Sequence, residues 1–211
     1  MSTRSGNGSP IFELIVVFLI VLVAQFVTGL FGMVSGLFVL SPPISNDPWT
    51  IITSVYAHNG IGHLVSNSVA LVLFGWPIAR ATTRIRFHAF FLVTGAIAGV
   101  SQVLVMSGIM SVAGIGGSAP GVLGASGAVF ALLGYLIAGN RVSSGFASVI
   151  EVPRWVTYLV FFALAVIVTL TTLAPGVALI AHFTGFLVGL LAGRARVLRT
   201  ESSTRPDQPT I

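Results

Sequence analysis

The 211-residue chain is 55% hydrophobic and 7% charged, with five acidic residues, ten arginines, no lysine and no cysteine. A soluble domain carries about a quarter charged residues, so this is the composition of a membrane protein, and its net charge of +5 reports topology rather than nucleic acid binding. The absence of cysteine excludes disulfides, thiolate metal sites and thiol nucleophiles.

Residues 1–10 read as a disordered cytoplasmic tail. The first apolar stretch, Ile11 to Met33, exceeds the ~20 residues a spanning helix needs, and it lacks the short core and small-residue cleavage site of a removed leader. It is expected to stay in the mature protein. Ser41 to Pro48 is turn chemistry that ends any helix, and Trp49 follows where an interfacial aromatic belongs. The second and third spans are predicted over Ile61 to Ile78 and Phe87 to Ile109. Ala113 to Gly121 is too glycine-rich for a helix, so the fourth, predicted within Gly121 to Gly139, starts late, near Gly124 or Ala125 and below the outer surface. Irregular backbone at that depth requires surrounding protein or a water-filled cavity, here one that opens outward. Trp155 to Leu173 and Pro175 to Ala192 complete six spans, and residues 196–211 read as a second disordered tail. One domain over 11–195 is predicted, without the matched broken helices of an inverted-repeat transporter.

All the arginines fall on one side of these spans. Arg4 precedes the first; Arg80, Arg84 and Arg86 join the second to the third; Arg141 and Arg154 join the fourth to the fifth; Arg194, Arg196, Arg199 and Arg205 follow the sixth. That side is cytoplasmic by the positive-inside rule, which puts both termini inside and turns Leu40 to Gly62, Gly108 to Pro120 and Leu173 to Gly176 outward. The partners this implies are the lipid bilayer and its anionic headgroups, with no nucleic acid.

Strongly polar groups inside spans are costly and by default functional. His63 and Asn67, four residues apart, share one face of the second helix. Ser126 sits between small neighbours in Gly124-Ala125-Ser126-Gly127, six residues after Pro120, and His182 lies seven after Pro175, at a matching depth. His182, Gly185 and Gly189 share one helical face, while Gly127, Ala131 and Gly134 form a small-residue face on the fourth helix that permits close approach. A serine hydroxyl needs a base to become a nucleophile, and neutral imidazole serves. Glu13, Glu151, Glu201 and Asp207 are predicted cytoplasmic and Asp47 lies in the outer loop, so no carboxylate reaches the histidine and the pair reads as a dyad. Phe130, one turn after Ser126, is placed to stack on the imidazole. N–H groups at the fourth helix start, with His63 and Asn67, are candidate oxyanion donors. No lysine exists for a Ser-Lys dyad, no HExxH binds zinc, and no carboxylate pair lies in the membrane. His88, beside Arg84 and Arg86, reads as an interfacial residue without chemistry.

Three segments carry a resemblance. His58-Asn-Gly-Ile-Gly-His63-Leu-Val-Ser-Asn67 followed by Gly75, then Gly124-Ala-Ser-Gly-Ala-Val-Phe-Ala-Leu-Leu-Gly-Tyr135, then Ala181-His-Phe-Thr-Gly-Phe-Leu-Val-Gly189, resemble in order and spacing the signatures of the rhomboid family of intramembrane serine proteases, over roughly residues 11 to 195. The resemblance implies an all-α fold, the six-transmembrane-helix bundle of the bacterial type, in a cell membrane, here a bacterial plasma membrane. It implies Ser126 as nucleophile and His182 as base, with His63, Asn67 and the Ser126 amide as oxyanion donors. His58 matches a supporting histidine, and Gly124 and Gly127 flank the nucleophile in a supporting role. Substrates would be transmembrane proteins with single spans that unwind near the outer face, and no metal or organic cofactor is implied. Three positions depart from the pattern: Thr50 follows Trp49 where arginine is common, Ala79 replaces a frequent glutamate, and Phe130 replaces a frequent tyrosine.

Two other readings remain: a rhomboid-like pseudoprotease that binds membrane clients without cutting them, and a small transporter lined by the same polar groups. Labelling by a fluorophosphonate that is lost in Ser126→Ala separates the first, and solute flux independent of Ser126 would mark the second. Oligomeric state is not encoded in any of these features.

Overall fold

The computed structural model describes residues 8–139 and 153–199. Arg4, Arg141 and Arg205 and the acidic Glu151, Glu201 and Asp207 lie outside the described residues, as do most of the two predicted tails. Among the described residues the chain is all-α, with eight helices: α1 (Pro10–Gly29), α2 (Val34–Phe38), α3 (Thr50–Tyr56), α4 (Ile61–Ala79), α5 (Arg84–Val112), α6 (Ser126–Gly139), α7 (Arg154–Leu170) and α8 (Leu179–Arg194).

Local chemistry sets most boundaries. Pro10 opens α1 at a position where its missing N–H has no intrahelical partner to lose. The apolar run continues past Gly29, but the chain turns there and Gly32 takes φ +70°, so the expected first span is shorter and the short α2 follows. Thr83 caps α5, its Oγ1 accepting the Arg86 N–H at 3.4 Å. The helix then runs 29 residues, beyond both expected ends. It stops before Gly114, whose φ of +67° only glycine adopts readily. The last helix starts at Leu179 rather than Pro175, because Ala174 to Val177 form a turn around Gly176 at φ +79°.

α1, α4 and α5 are long and apolar enough to cross a membrane, while α6, α7 and α8 are shorter apolar helices. At 1.5 Å per residue, the 14 residues of α6 extend about 21 Å, less than the ~30 Å hydrocarbon core. Large apolar side chains such as Ile20, Val23 and Phe26 of α1, Leu73 of α4 and Phe162 of α7 face outward, as expected of surfaces that meet lipid. This is a multi-pass membrane protein.

α6 is the central element. It packs against α4, α5 and most extensively α8, whereas α7 packs principally on α8. Phe18, Leu71, Phe87, Phe91 and Leu132 fill one core between α1, α4, α5 and α6, and Ala165, Phe186 and Leu190 form a second under α7. At the arginine end, Glu13 Oε2 accepts from Arg84 Nε at 2.7 Å and meets His88 Nε2 at 2.8 Å, joining α1 to α5. His88 is thus bonded to a carboxylate of α1. Beyond residue 195 the chain stays packed: Leu198 is buried and donates its N–H to the Tyr135 hydroxyl at 3.2 Å.

The segment between α1 and α4 is tied down by side chains. Trp49 Nε1 donates to Gly36 O at 2.8 Å, Thr53 Oγ1 donates to Leu37 O at 2.6 Å, and Leu40 pairs with Val122 through two backbone hydrogen bonds of 2.9 and 2.8 Å. Thr50 is buried and bonded to the Asp47 carbonyl, so the position where arginine is common is an internal one here. The Leu40–Val122 bridge fixes the chain that leads into α6.

Candidate active site

Along a line of glycines the backbones of α6 and α8 meet directly. A Cβ placed on Gly185 would fall on the Gly127 carbonyl, and one on Gly189 on the Ala131 carbonyl. Backbones this close fix the relative height of the two helices. Ser126, the first residue of α6, and His182, in the first turn of α8, are thereby opposed, and Ser126 Oγ stands 2.9 Å from His182 Nε2.

His182 is buried and held on several sides. The Phe130 ring stacks on it with centroids 4.3 Å apart and planes 26° from parallel. Its Nδ1 lies 3.0 Å from Thr172 Oγ1, and that hydroxyl lies 2.7 Å from the Thr169 carbonyl. Next to it, the Ala181 N–H, one of the groups a helix start leaves unpaired, donates to Gln102 Oε1 of α5 at 3.1 Å. The described carboxylates are elsewhere: Glu13 is bonded to Arg84 and His88, and Asp47 lies in the segment between α2 and α3.

The facing wall comes from α4 and the strand-like approach to α6. Gly124 has φ +132°, donates its N–H to Ser54 O at 2.9 Å, and lies against His63, where a Cβ would come within 2.7 Å of imidazole Cε1 and 3.0 Å of Nε2. His63 Nδ1 accepts the Asn59 N–H at 3.2 Å, which places its own hydrogen on Nε2, the edge turned toward the chain entering Ser126. Asn67 is buried, and its Nδ2 donates one hydrogen to the His63 carbonyl at 3.1 Å, leaving the other. His58 stands behind His63 with ring centroids 5.2 Å apart; its N–H donates to Gln25 Oε1 at 2.9 Å and its ring meets Phe18 at 4.7 Å. Burial, and then the neighbouring His63, push the His58 pKa down to about 4, so it is neutral at physiological pH.

A cavity lined by Ser54, Gly95, Gly99, Gly124, Ser126 and Ala181 measures about 10 Å³. That is room for one water and not for a peptide. Around it Gly95, Gly99 and Gly127 admit the side chains of Val55, Leu40 and Ala98, while Ser126 and His63 stay half-buried.

Sequence reasoning passed over Thr172, Gln102 and Gln25. The two glutamines had a readable signal, as amides in mid-span are costly unless bonded. Thr172 had none, since a Thr-Thr pair at a helix end reads as turn chemistry.

The family model described as Rhomboid domain matches residues 45–199, well over half of the chain. The chain is 29% identical over 155 residues to RHOMBOID-like protein 4 of Arabidopsis thaliana, covering 73% of this chain and 35% of that protein. It is 26% identical over 164 residues to RHOMBOID-like protein 6, mitochondrial, of the same plant, covering 74% of this chain and 46% of that protein. The chain thus spans less than half the length of the curated relatives it matches, and it is the family model that establishes the family, without its bacterial six-helix type. The chain belongs to the rhomboid family.

Proposed function

We propose that this protein is an intramembrane serine endopeptidase acting through a Ser126–His182 dyad. The observation that carries the reading is the 2.9 Å approach of Ser126 Oγ to His182 Nε2 at the junction of two apolar helices. In acylation Ser126 Oγ bonds to the scissile carbonyl carbon, its proton moves to His182 Nε2 and on to the leaving amine, and the C–N bond breaks. In deacylation water gives its proton to His182 as it attacks the ester, and Ser126 recovers its proton. The His63 Nε2–H, the free Asn67 N–H and the Ser126 amide are the proposed oxyanion donors. Phe130 holds the imidazole plane, Gly124 makes room for His63 and Gly127 for Ala98 of α5, and His58 supports His63.

The reading includes six spans formed by α1, α4, α5, α6, α7 and α8, with α6 beginning below the outer surface and both termini cytoplasmic in a bacterial plasma membrane. The short length of α6 and the gathering of Arg80, Arg84, Arg86 and Arg194 at the end opposite Ser126 support this topology. Substrates are transmembrane proteins whose helices unwind near the outer face, since extended backbone must reach Ser126.

The test is incubation of purified protein with a panel of single-span substrates, wild type beside Ser126→Ala and His182→Ala. Cleavage by the wild type alone is expected. Cleavage that survives both substitutions would end the dyad assignment. A wild type that neither cleaves nor reacts with fluorophosphonates would turn the reading toward a client-binding pseudoprotease.

A further inference from the structure

We infer that Thr172 is a positioning residue that fixes the tautomer of His182; the inference rests on the protease reading and deepens it. A general base must present a bare nitrogen to the serine and carry its hydrogen on the other side. Imidazole can hold its hydrogen on either nitrogen, so something must choose.

The hydrogen-bond chain decides the choice. The described contacts run from Ser126 Oγ to His182 Nε2 at 2.9 Å, from His182 Nδ1 to Thr172 Oγ1 at 3.0 Å, and from Thr172 Oγ1 to Thr169 O at 2.7 Å. In one arrangement the Thr172 hydroxyl donates its single hydrogen to the Thr169 carbonyl, which can only accept, and offers a lone pair to Nδ1. Nδ1 then carries the imidazole hydrogen, Nε2 is bare, and Ser126 donates to it. With the opposite tautomer Thr172 would give its hydrogen to Nδ1, Nε2–H would point at Ser126 Oγ, and the serine hydrogen would have no partner in this chain of contacts. Only the first arrangement satisfies every donor in the run, and it is the productive one.

Thr172 serves the charged state as well. When Nε2 takes the serine proton, both ring nitrogens donate, and Thr172 keeps accepting from Nδ1 without moving. A backbone carbonyl thus anchors, through one hydroxyl, the end of the relay that a carboxylate usually occupies. Thr172 belongs to the turn that closes α7, a helix that packs principally on α8, so the base is oriented only while this end of α7 stays seated.

The experiment compares wild type with Thr172→Val, which keeps the shape and removes the hydroxyl, and Thr172→Ser, which restores it. Steady-state cleavage of a single-span substrate should show kcat lowered about 10- to 100-fold in Thr172→Val, with KM changed by no more than about twofold, and recovery in Thr172→Ser to within about threefold of wild type. Nitrogen NMR of ring-labelled histidine in detergent gives a readout independent of turnover, the His182 signal being found among four histidines by its loss in His182→Ala. Wild type and Thr172→Ser should show protonated Nδ1 and bare Nε2, and Thr172→Val a mixture of tautomers. An active wild type with Thr172→Val equally active and unchanged in its nitrogen shifts overturns the inference alone. A wild type without cleavage or Ser126 labelling overturns the protease reading, and this inference with it.

Discussion

The Cα of Gly124 faces the imidazole of His63 with no space between them for a methyl group: a Cβ there would sit 2.7 Å from Cε1. Gly124 also holds φ +132°, a conformation that costs a residue with a side chain about 1–3 kcal/mol. The two requirements act on one group, because relieving the clash moves the Nε2–H edge of His63 away from the start of α6. Gly124→Ala is expected to lower kcat at least about 100-fold, the effect of losing one oxyanion donor. His63→Ala should fall by a similar factor, and the double variant should fall little further than either. Steady-state cleavage of the three variants checks this; multiplicative losses would separate Gly124 from His63.

The α6–α8 interface predicts a contrast between two glycines. Gly189→Ala would drive a methyl group into the Ala131 carbonyl, a backbone atom that cannot swing aside, and should destabilise the protein by about 2 kcal/mol or more. Gly108, in α5, has nothing within 4 Å of a built Cβ, and Gly108→Ala should be neutral or stabilising by about 0.5–1 kcal/mol. Thermal unfolding in detergent reads both. Gly189→Ala should also lose cleavage, since separating the helices lengthens the Ser126–His182 contact.

Phe130 tests the stack on its own. Its ring lies 4.3 Å from that of His182, and such aromatic pairs are worth about 0.5–1.5 kcal/mol beyond area burial. Phe130→Leu should therefore reduce kcat by about 3- to 10-fold. Phe130→Tyr retains the ring and should stay within about twofold of wild type. Equal rates for Leu and Phe would show that Thr172 alone suffices to hold the base.

How far the sequence carried depended on period and position. The apolar helices were legible because they are long apolar runs, and the close approach of α6 and α8 because Gly185 and Gly189 recur at helical spacing beside Gly127 and Ala131. Helix ends were less so: α2 and the start of α8 depend on turns at Gly32 and Gly176 that interrupt apolar runs without changing their hydropathy. Thr172 was not legible, as its contact with His182 joins the end of one helix to the start of the next through side-chain geometry. The size of the cavity was not legible either, because the number of small residues around Ser126 says that backbones can approach but not how far they close.

His58 predicts how stability follows pH. It lies in the segment between α3 and α4, buried against Phe18 and His63, with a pKa pushed from 6.5 down to about 4, first by burial and then by His63. Between those values the unfolded chain binds a proton at this position and the folded chain does not. Stability from this group is therefore complete above pH 6.5 and declines as pH falls toward 4. His58→Gln keeps an N–H donor able to reach the Tyr56 carbonyl, which His58 Nδ1 meets at 3.1 Å, and has no charge to acquire. Unfolding midpoints measured at constant ionic strength should fall more steeply for wild type than for His58→Gln as pH is lowered through this window, and converge in slope above it. Parallel curves throughout would mean that His58 binds its proton equally well in the folded and the unfolded chain, and that packing against Phe18 and His63 leaves its protonation unchanged.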